Sequence, residues 1–223
     1  MNGAFFKYKN DLHVTMKRKK IIRLFIFFTL ILILGVYFYL KFCWLTLYSF
    51  DDMKYNANIV NSSPPLPANF LKVWDRLFPN TRNNGMNKQL WSELTSEIGN
   101  SNFYNCRCDE IGYLAWNHDN YYFKFNMKKG IGQYRKFGYG LEYYTTPSKC
   151  FDFWYNNAII WNGKYLKDLD ELSEINFKKS IVSLNQLEII ELIVYRNIGY
   201  FKAKDSAAFR ESVNKLTAKL NEQ

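Results

Sequence analysis

Residues 141–163 read LEYYTTPSKCFDFWYNNAIIWNG and contain the clearest local structural signal in the chain. Thr146 followed by Pro147 matches a helix N-cap with proline at the first helical position, where its missing N–H costs no hydrogen bond. We therefore predict a helix from Pro147 to about Asn157. Gly163 permits the turn that follows, because glycine tolerates backbone conformations that other residues avoid.

Upstream of this helix, apolar residues at helical spacing predict two further helices, over 69–78 and 88–98. We expect the first to bury Phe70, Val73, Trp74 and Leu77, and the second to turn Leu90, Trp91, Leu94 and Ile98 inward. A short helix over 106–115 and a strand over 121–125 follow. Four glycines predict irregular structure over 130–140.

Two helices are predicted downstream. Ser183 or Asn185 together with Glu188 forms a capping-box-like start for a helix over 186–195. We expect that helix to bury Leu187, Ile190 and Leu192 or Val194 against the helix that contains Trp154. Spacings of four, three and four residues predict an amphipathic last helix over 205–220, with an inward face of Phe209, Val213, Leu216 and Leu220. The fold class is therefore mainly α.

The N-terminal region has the properties of a membrane anchor. Residues 21–40 are almost entirely apolar, and about twenty residues at ~1.5 Å rise each span the ~30 Å hydrocarbon core. Seven lysines and arginines against Asp11 give the first 23 residues a charge of +6 out of a total of +10. This excess predicts a cytoplasmic N-terminus and a body outside, with Tyr37, Tyr39, Trp44 and Tyr48 at the outer interface. A cleaved signal peptide is the alternative, but the apolar run is long and no small-x-small site follows it.

We divide the chain into a cytoplasmic tail (1–20), a transmembrane anchor (21–47), a stalk (48–67) and a helical domain (68–223). The stalk ends in SSPPLP, whose prolines disfavour a regular helix. Because most of the positive charge lies in the tail, we predict no nucleic-acid-binding face.

The four cysteines leave two alternatives open. Either Cys106 or Cys108 bridges to Cys150, which an oxidising exterior permits, or the thiols are free and buried. Cys43 falls at the membrane boundary. The cysteine spacing lacks the second close pair typical of structural zinc sites, and we predict neither a metal site nor a cofactor.

Two stretches resemble the family 51 peptidoglycan glycosyltransferases. Residues 141–163 are similar to the pattern L-E-x-x-x-S-K-x-E-I-L-E-x-Y-L-N-x-x-x-x-G-x-G, with Glu142, Asp152, Asn156 and Gly163 at its intervals. Residues 177–201 resemble Y-F-x-K-x-x-x-x-L-S-x-x-E-A-A-x-L-A-x-x-x-x-x-P-x-x-Y, with Phe177, Lys179, Leu184, Glu188 and Leu192 in step and Tyr200 two positions before the final tyrosine of the pattern. The resemblance implies a lysozyme-like helical domain on the outer side of the bacterial inner membrane, anchored by a single pass.

The catalytic glutamates of the family have no counterpart in the matching positions. The family's base opens an E-D-x-x-F-x-x-H-x-G motif, and the nearest string here begins at Trp74, with Thr81 in place of the histidine. Tryptophan cannot accept a proton as a general base does. No intact catalytic residue follows from the resemblance, and Asp75 is the remaining candidate; a solvated or N-cap-linked carboxylate is its structural alternative. The resemblance also implies that Trp74 lines or approaches the cleft.

The family's R-K-x-x-E motif is matched only by its basic pair, Arg135 and Lys136. Together with Lys129 they form a glycine-interleaved basic patch, which is suited to a pyrophosphate or an anionic glycolipid head. Its alternative is a solvated lysine-rich loop. Among the matched residues, Glu142, Asp152, Asn156, Gly163 and Glu188 are expected to be architectural.

The sequence therefore predicts a glycosyltransferase-like protein of cell-wall synthesis that has lost its catalytic residues and, if active, polymerises a lipid-linked disaccharide. The alternative is a non-catalytic, membrane-anchored scaffold or binder. Its predicted partners are the bilayer and either the lipid-linked peptidoglycan precursor or cell-wall synthesis proteins.

Overall fold

The computed structural model describes residues 2–95, 106–117, 123, 133–157, 159–161, 164–166, 168–198 and 206–222. Side chains are described within these ranges except at 2–19, 92–95, 116–117, 159–161, 164–166 and 197–198. The chain forms two compact units, Met1–Cys43 and Trp44–Gln223.

The first unit is one long helix, α1 (Asn2–Phe42). The stretch Lys20–Thr46 is long and apolar enough to cross a membrane. Its large apolar side chains from Ile21 to Tyr39 are exposed within the protein, which leaves them available to lipid. This helix is compatible with the predicted single-pass anchor.

The second unit is built from nine α-helices in its described residues, with one β-hairpin. The helices are α2 (Phe50–Asn61), α3 (Ala68–Leu77), α4 (Met86–Thr95), α5 (Arg107–Asn117), α6 (Gln133–Tyr144), α7 (Pro147–Asn157), α8 (Leu169–Phe177), α9 (Gln186–Ile198) and α10 (Ala207–Asn221). Short 3₁₀ helices occur at Cys43–Thr46 and Ile181–Ser183. Strands β1 (Ile159–Trp161) and β2 (Lys164–Leu166) pair antiparallel, with Ile160 opposite Tyr165. The predicted mainly α fold is confirmed.

Several helices begin where the sequence predicted. α7 starts at Pro147, and the Lys149 N–H donates to Thr146 Oγ1 at 3.3 Å. At the start of α9 the capping box is reciprocal: the Asn185 N–H donates to Glu188 Oε2 at 2.9 Å, and the Glu188 N–H donates to Asn185 Oδ1 at 3.0 Å. Of the two predicted caps, Asn185 is therefore the one used.

The predicted apolar faces of α3 and α10 are confirmed as buried, as the spacing of their apolar residues requires. These faces comprise Phe70, Val73, Trp74 and Leu77 on α3, and Phe209, Val213, Leu216 and Leu220 on α10. On α9, Ile190, Leu192 and Val194 are buried, but Leu187 is 48% exposed, so its predicted burial is wrong. Leu187 lies in the first turn of α9, beside the capping box at the helix end.

The predicted stalk is wrong, because most of residues 48–67 belong to the domain. Ser49 caps α2 by accepting from the Asp52 N–H at 3.1 Å, and α2 buries Met53, Asn56, Ala57 and Val60. The prolines exclude a helix only over residues 64–67, between α2 and α3. Trp44 and Tyr48, predicted at the membrane interface, are likewise buried in this unit.

Residues 133–140 are helical, which corrects the prediction of irregular structure over 130–140. Their glycines serve close helix packing. A Cβ at Gly138 would lie 3.1 Å from Asp109 Cα, and one at Gly140 would lie 2.7 Å from Met53 Cε. A Cβ at Gly112 would collide with the Tyr134 carbonyl oxygen. The cost of glycine in a helix is therefore offset by the close approach of α6 to α5 and α2.

Trp91 is 66% exposed rather than buried. The α4 residue that contacts the start of α5 is Gln89: its side chain donates to Asp109 Oδ2 at 2.8 Å and accepts from the Cys106 N–H at 2.7 Å. The side chains of Leu94 and Ile98 and the predicted strand over 121–125, apart from buried Phe123, lie outside the described residues.

Candidate functional site

The position at which the resemblance expects a catalytic base is occupied by Trp74, which forms a buried hydrogen bond with Thr81. Trp74 on α3 has no exposed surface, and its indole Nε1–H donates to Thr81 Oγ1 at 3.0 Å. The Thr81 hydroxyl donates in turn to the Phe78 carbonyl at 2.7 Å. Trp74 and Thr81, which stand where the family has glutamate and histidine, thus hold the turn after α3 to the helix.

Aromatic rings surround the Trp74 indole. Ring centroids lie 4.7 Å away at Phe78, 4.9 Å at Phe151 and 5.1 Å at Tyr155. Such contacts stabilise the fold beyond the burial of their area. Trp74, which the resemblance expects to line or approach a cleft, has no exposed surface and therefore does not line one.

Asp75, the remaining catalytic candidate, faces outward on the same helix. Its Oδ2 lies 2.9 Å from Arg82 Nη1, and its side chain is half exposed. An exposed ion pair of this kind contributes ~0–1 kcal/mol and leaves the side chain in contact with solvent. The structure therefore agrees with the solvated alternative for Asp75.

Three residues of α7 hold the proline-containing segment 62–67 in place. Lys149 Nζ donates to the Ser63 carbonyl at 3.3 Å, and Asn156 Nδ2 donates to the Pro64 carbonyl at 2.7 Å. Asp152 accepts the Leu66 N–H. These side chains, spaced three and four residues apart, share one face of the helix. Because they satisfy backbone groups that have no helical partner, the roles of Asp152 and Asn156 are architectural.

Asp152 is the matched carboxylate whose pKa is raised by burial. It is buried, and its Oδ1 has no hydrogen-bond partner among the described residues. Burial raises its pKa, while the Leu66 N–H, Lys149 and Arg82 act in the opposite direction. Perturbed carboxyl groups mark active sites when they face a cleft. This one faces the backbone of Leu66 instead.

Two other matched carboxylates cap helices. Glu142 on α6 accepts the Met86 N–H at 2.8 Å, which places a negative charge at the positive end of α4. A Cβ at Gly85 would collide with Glu142 Oε1, so a larger residue there would push the carboxylate away from this position. Glu188 caps α9 and pairs with Lys179 Nζ at 2.6 Å; the bond from Lys179 and the Asn185 N–H lower the pKa of Glu188.

The two described members of the basic patch contact different partners. Lys136 Nζ donates to Thr46 Oγ1 at 3.0 Å, and the Arg135 guanidinium lies 5.9 Å from the Tyr134 ring centroid. Lys129 and Gly163 lie outside the described residues. No contact among the described residues joins this pair to Asp75, so the structure does not assemble the predicted site residues into one constellation.

A disulfide joins α5 to α7 through Cys108 and Cys150. Of the two open alternatives, the bridge is therefore present, and Cys108 rather than Cys106 forms it. Cys106 is a buried thiol whose pKa is raised to about 12 by burial. A thiol with such a pKa stays protonated at neutral pH and is a poor nucleophile.

The sequence provided no signal for a buried cation beside this core. Arg107 Nη1 lies 3.1 Å from Glu110 Oε2, and Nη2 donates to the Tyr155 hydroxyl at 3.2 Å. The guanidinium also lies 6.0 Å from the ring centroids of Trp74 and Trp154. A buried charge is tolerated when it is paired in this way, and Arg107 contributes a further structural contact.

In the part of the chain that the structure describes, no cluster of three or more His, Cys, Asp or Glu side chains is arranged to hold a metal ion. Comparison of the chain with protein-family models, with curated proteins and with solved structures finds no match. The resemblance to the peptidoglycan glycosyltransferases therefore depends on the quoted residues alone.

Proposed function

We propose that this chain is a non-catalytic, membrane-anchored relative of the peptidoglycan glycosyltransferases, which acts in cell-wall synthesis as a binding or scaffolding module. The observation that carries the proposal is the buried pair of Trp74 and Thr81, which replaces the base and its histidine neighbour with core contacts.

The chemistry of glycan polymerisation supports this proposal. A general base must lie within ~2.6–3.2 Å of the attacking sugar hydroxyl. Each carboxylate at a matched position instead has a structural partner: the Met86 N–H for Glu142, the Leu66 N–H for Asp152 and the Asn185 N–H for Glu188. These bonds account for the matched residues without any catalytic role.

Two independent features support the proposed orientation of the domain. Disulfides form and persist in oxidising compartments, and Cys108–Cys150 lies in the second unit. The basic residues precede the apolar span, which favours a cytoplasmic N-terminus. Both features support a domain on the outer face of a bacterial inner membrane.

The proposed ligand is the pyrophosphate head of the lipid-linked peptidoglycan precursor, held by Arg135 and Lys136. Positive charge attracts such a head without any need for a base. Since screening weakens exposed charge interactions, binding falls as salt rises. Cell-wall synthases are the other proposed partners of the module.

The experiment measures turnover and binding on the full chain in detergent, with an active family enzyme as positive control. We expect no polymer from the lipid-linked disaccharide, and binding that weakens in Arg135→Gln/Lys136→Gln but not in the exposed α10 control Lys215→Gln. Processive glycan synthesis that is abolished by Asp75→Asn would show that the carboxylate has shifted by one position, and the proposal would be wrong.

A further inference from the structure

An aromatic cluster lies at the beginning of the second unit, centred on Trp44. The Trp44 ring centroid is 5.2 Å from that of Phe50, 5.6 Å from that of Tyr143 and 6.1 Å from that of Tyr144. The cluster therefore joins three parts of the domain: the 3₁₀ turn Cys43–Thr46, the first turn of α2 and the last turn of α6.

The core of this cluster is buried, but its edge is not. Trp44 has no exposed surface, whereas Leu45, Phe50 and Tyr143 are 39%, 49% and 41% exposed. The Phe50 and Tyr143 ring centroids lie 6.4 Å apart. We call these three residues the aromatic rim. The rim places two rings and an aliphatic side chain together on the surface, where water disfavours them.

Chain connectivity places the rim close to the bilayer. A ~30 Å hydrocarbon core takes up ~20 helical residues, and each headgroup layer adds ~5–8 Å. A span that begins at Ile21 reaches the hydrocarbon boundary near Leu40. Trp44 follows after four residues, or ~6 Å of helical rise, and lies within the apolar stretch Lys20–Thr46. Trp44 therefore falls in the headgroup layer, and the ring centroids of Phe50 and Tyr143 lie 5.2 Å and 5.6 Å from that of Trp44.

We propose that the aromatic rim inserts into the headgroup layer of the outer leaflet and holds the domain on the membrane surface. Aromatic side chains with an apolar body and, in tyrosine, a polar tip favour this layer. Of the four residues that the sequence assigned to the interface, Tyr37 and Tyr39 are exposed, whereas Trp44 and Tyr48 are buried. In the proposal, Phe50 and Tyr143 act at the interface in their place.

Charges of both signs lie beside the rim. Asp51 and Asp52 directly follow Phe50 in the first turn of α2, and Lys136 Nζ contacts Thr46, the residue after Leu45, so neither sign dominates at the rim. Docking by the rim is consequently driven by burial of apolar surface, so it persists at high salt. It depends on the membrane span and not on the proposed function, because an active enzyme would present the same rim.

Photo-crosslinking of the full chain tests the rim. Benzoyl-phenylalanine replaces Phe50 or Tyr143, and the protein is reconstituted in nanodiscs of phosphatidylcholine and phosphatidylglycerol. Phe38 in α1 is the positive control, and Val182, which is 67% exposed on the 3₁₀ turn Ile181–Ser183, is the negative control. Irradiated protein is analysed by mass spectrometry for lipid adducts.

We expect lipid adducts at positions 50 and 143 with yields within a few-fold of that at position 38, unchanged at high salt, and none at position 182. Cooperative urea unfolding, followed by tryptophan fluorescence as for the wild-type protein, shows that each variant is folded. The proposal is overturned if folded variants react with lipid at position 38 alone, if position 182 reacts as strongly as the rim, or if the rim crosslinks to a second copy of the chain in place of lipid.

Discussion

The stability that is lost when the Cys108–Cys150 disulfide is broken can be calculated from the sequence separation of the two cysteines. The bond closes a loop with a sequence separation of 42 residues. The loss of chain entropy in the unfolded state grows with the logarithm of loop length, which for a loop of this size amounts to about 4 kcal/mol. We therefore expect Cys108→Ala/Cys150→Ala to lower the free energy of unfolding by about that amount.

The chain supplies a matched control two residues away. Cys106 is also buried, but it is a free thiol, so Cys106→Ala removes one buried sulfur without opening a loop. Its cost should be ~1 kcal/mol, comparable with the loss of one buried methylene. The assay is urea unfolding of the full chain in detergent micelles, followed by tryptophan fluorescence.

Reduction provides a second comparison within the same assay. A reducing agent should destabilise the wild-type protein and the Cys106→Ala variant alike, and it should leave the double variant unchanged. Equal losses for Cys106→Ala and for the double variant, or insensitivity of the wild-type protein to reduction, would refute the bridge and remove one support for an extracytoplasmic domain.

Three further predictions concern packing, pH and topology. Ile190→Ala should cost ~2–4 kcal/mol because the side chain is buried, whereas half-exposed Leu187→Ala should cost well under half as much; equal losses in urea unfolding would contradict the packing of α9. The hydrogen bonds from Lys179 and the Asn185 N–H lower the pKa of Glu188. Glu188 therefore contributes to the free energy of unfolding above its unfolded pKa of ~4.3, and this contribution is lost as the pH falls through the lower pKa of the folded state. A Glu188→Gln variant whose stability falls with pH as that of the wild type does would contradict this. A reporter enzyme fused after Gln223 should be active only outside the cytoplasm, since the basic residues precede the span; cytoplasmic activity would reverse the proposed orientation.

Local signals in the sequence predicted most of the helices and their caps. Thr146 and Pro147 open α7, Asn185 and Glu188 cap α9, and the apolar spacing of α10 matches its buried face. These features depend on residues three or four apart, so they can be derived from neighbouring positions alone.

The errors concern long-range packing. The glycines of α6 permit close contact with Asp109 and Met53, which lie far away in sequence. The local sequence of segment 62–67 is typical of a stalk. In the structure, however, Lys149 and Asn156 of α7 donate hydrogen bonds to its carbonyl oxygens. Intrinsic propensity cannot anticipate such tertiary contacts, and the same limit explains why Trp91 was predicted to face inward.

The resemblance pointed to individual residues of the candidate site but not to their contacts. Glu142, Asp152, Asn156 and Glu188 each make a hydrogen bond to a backbone group. Burial of Trp74 could not be distinguished from a position in a cleft, because an inward helical face and a cleft-facing one carry the same apolar pattern.

The most direct test of the proposed loss of catalysis is to restore the family's residue with Trp74→Glu, and to measure unfolding and glycan polymerisation on the same sample. Trp74 is enclosed by aromatic rings, so removal of the indole alone costs ~3–5 kcal/mol, and an unpaired carboxylate in its place adds a desolvation penalty. We predict a variant that loses its cooperative fold and makes no polymer, while Trp74→Phe remains folded. A folded Trp74→Glu protein that polymerises lipid-linked disaccharide would place residue 74 in an active cleft and contradict the proposal.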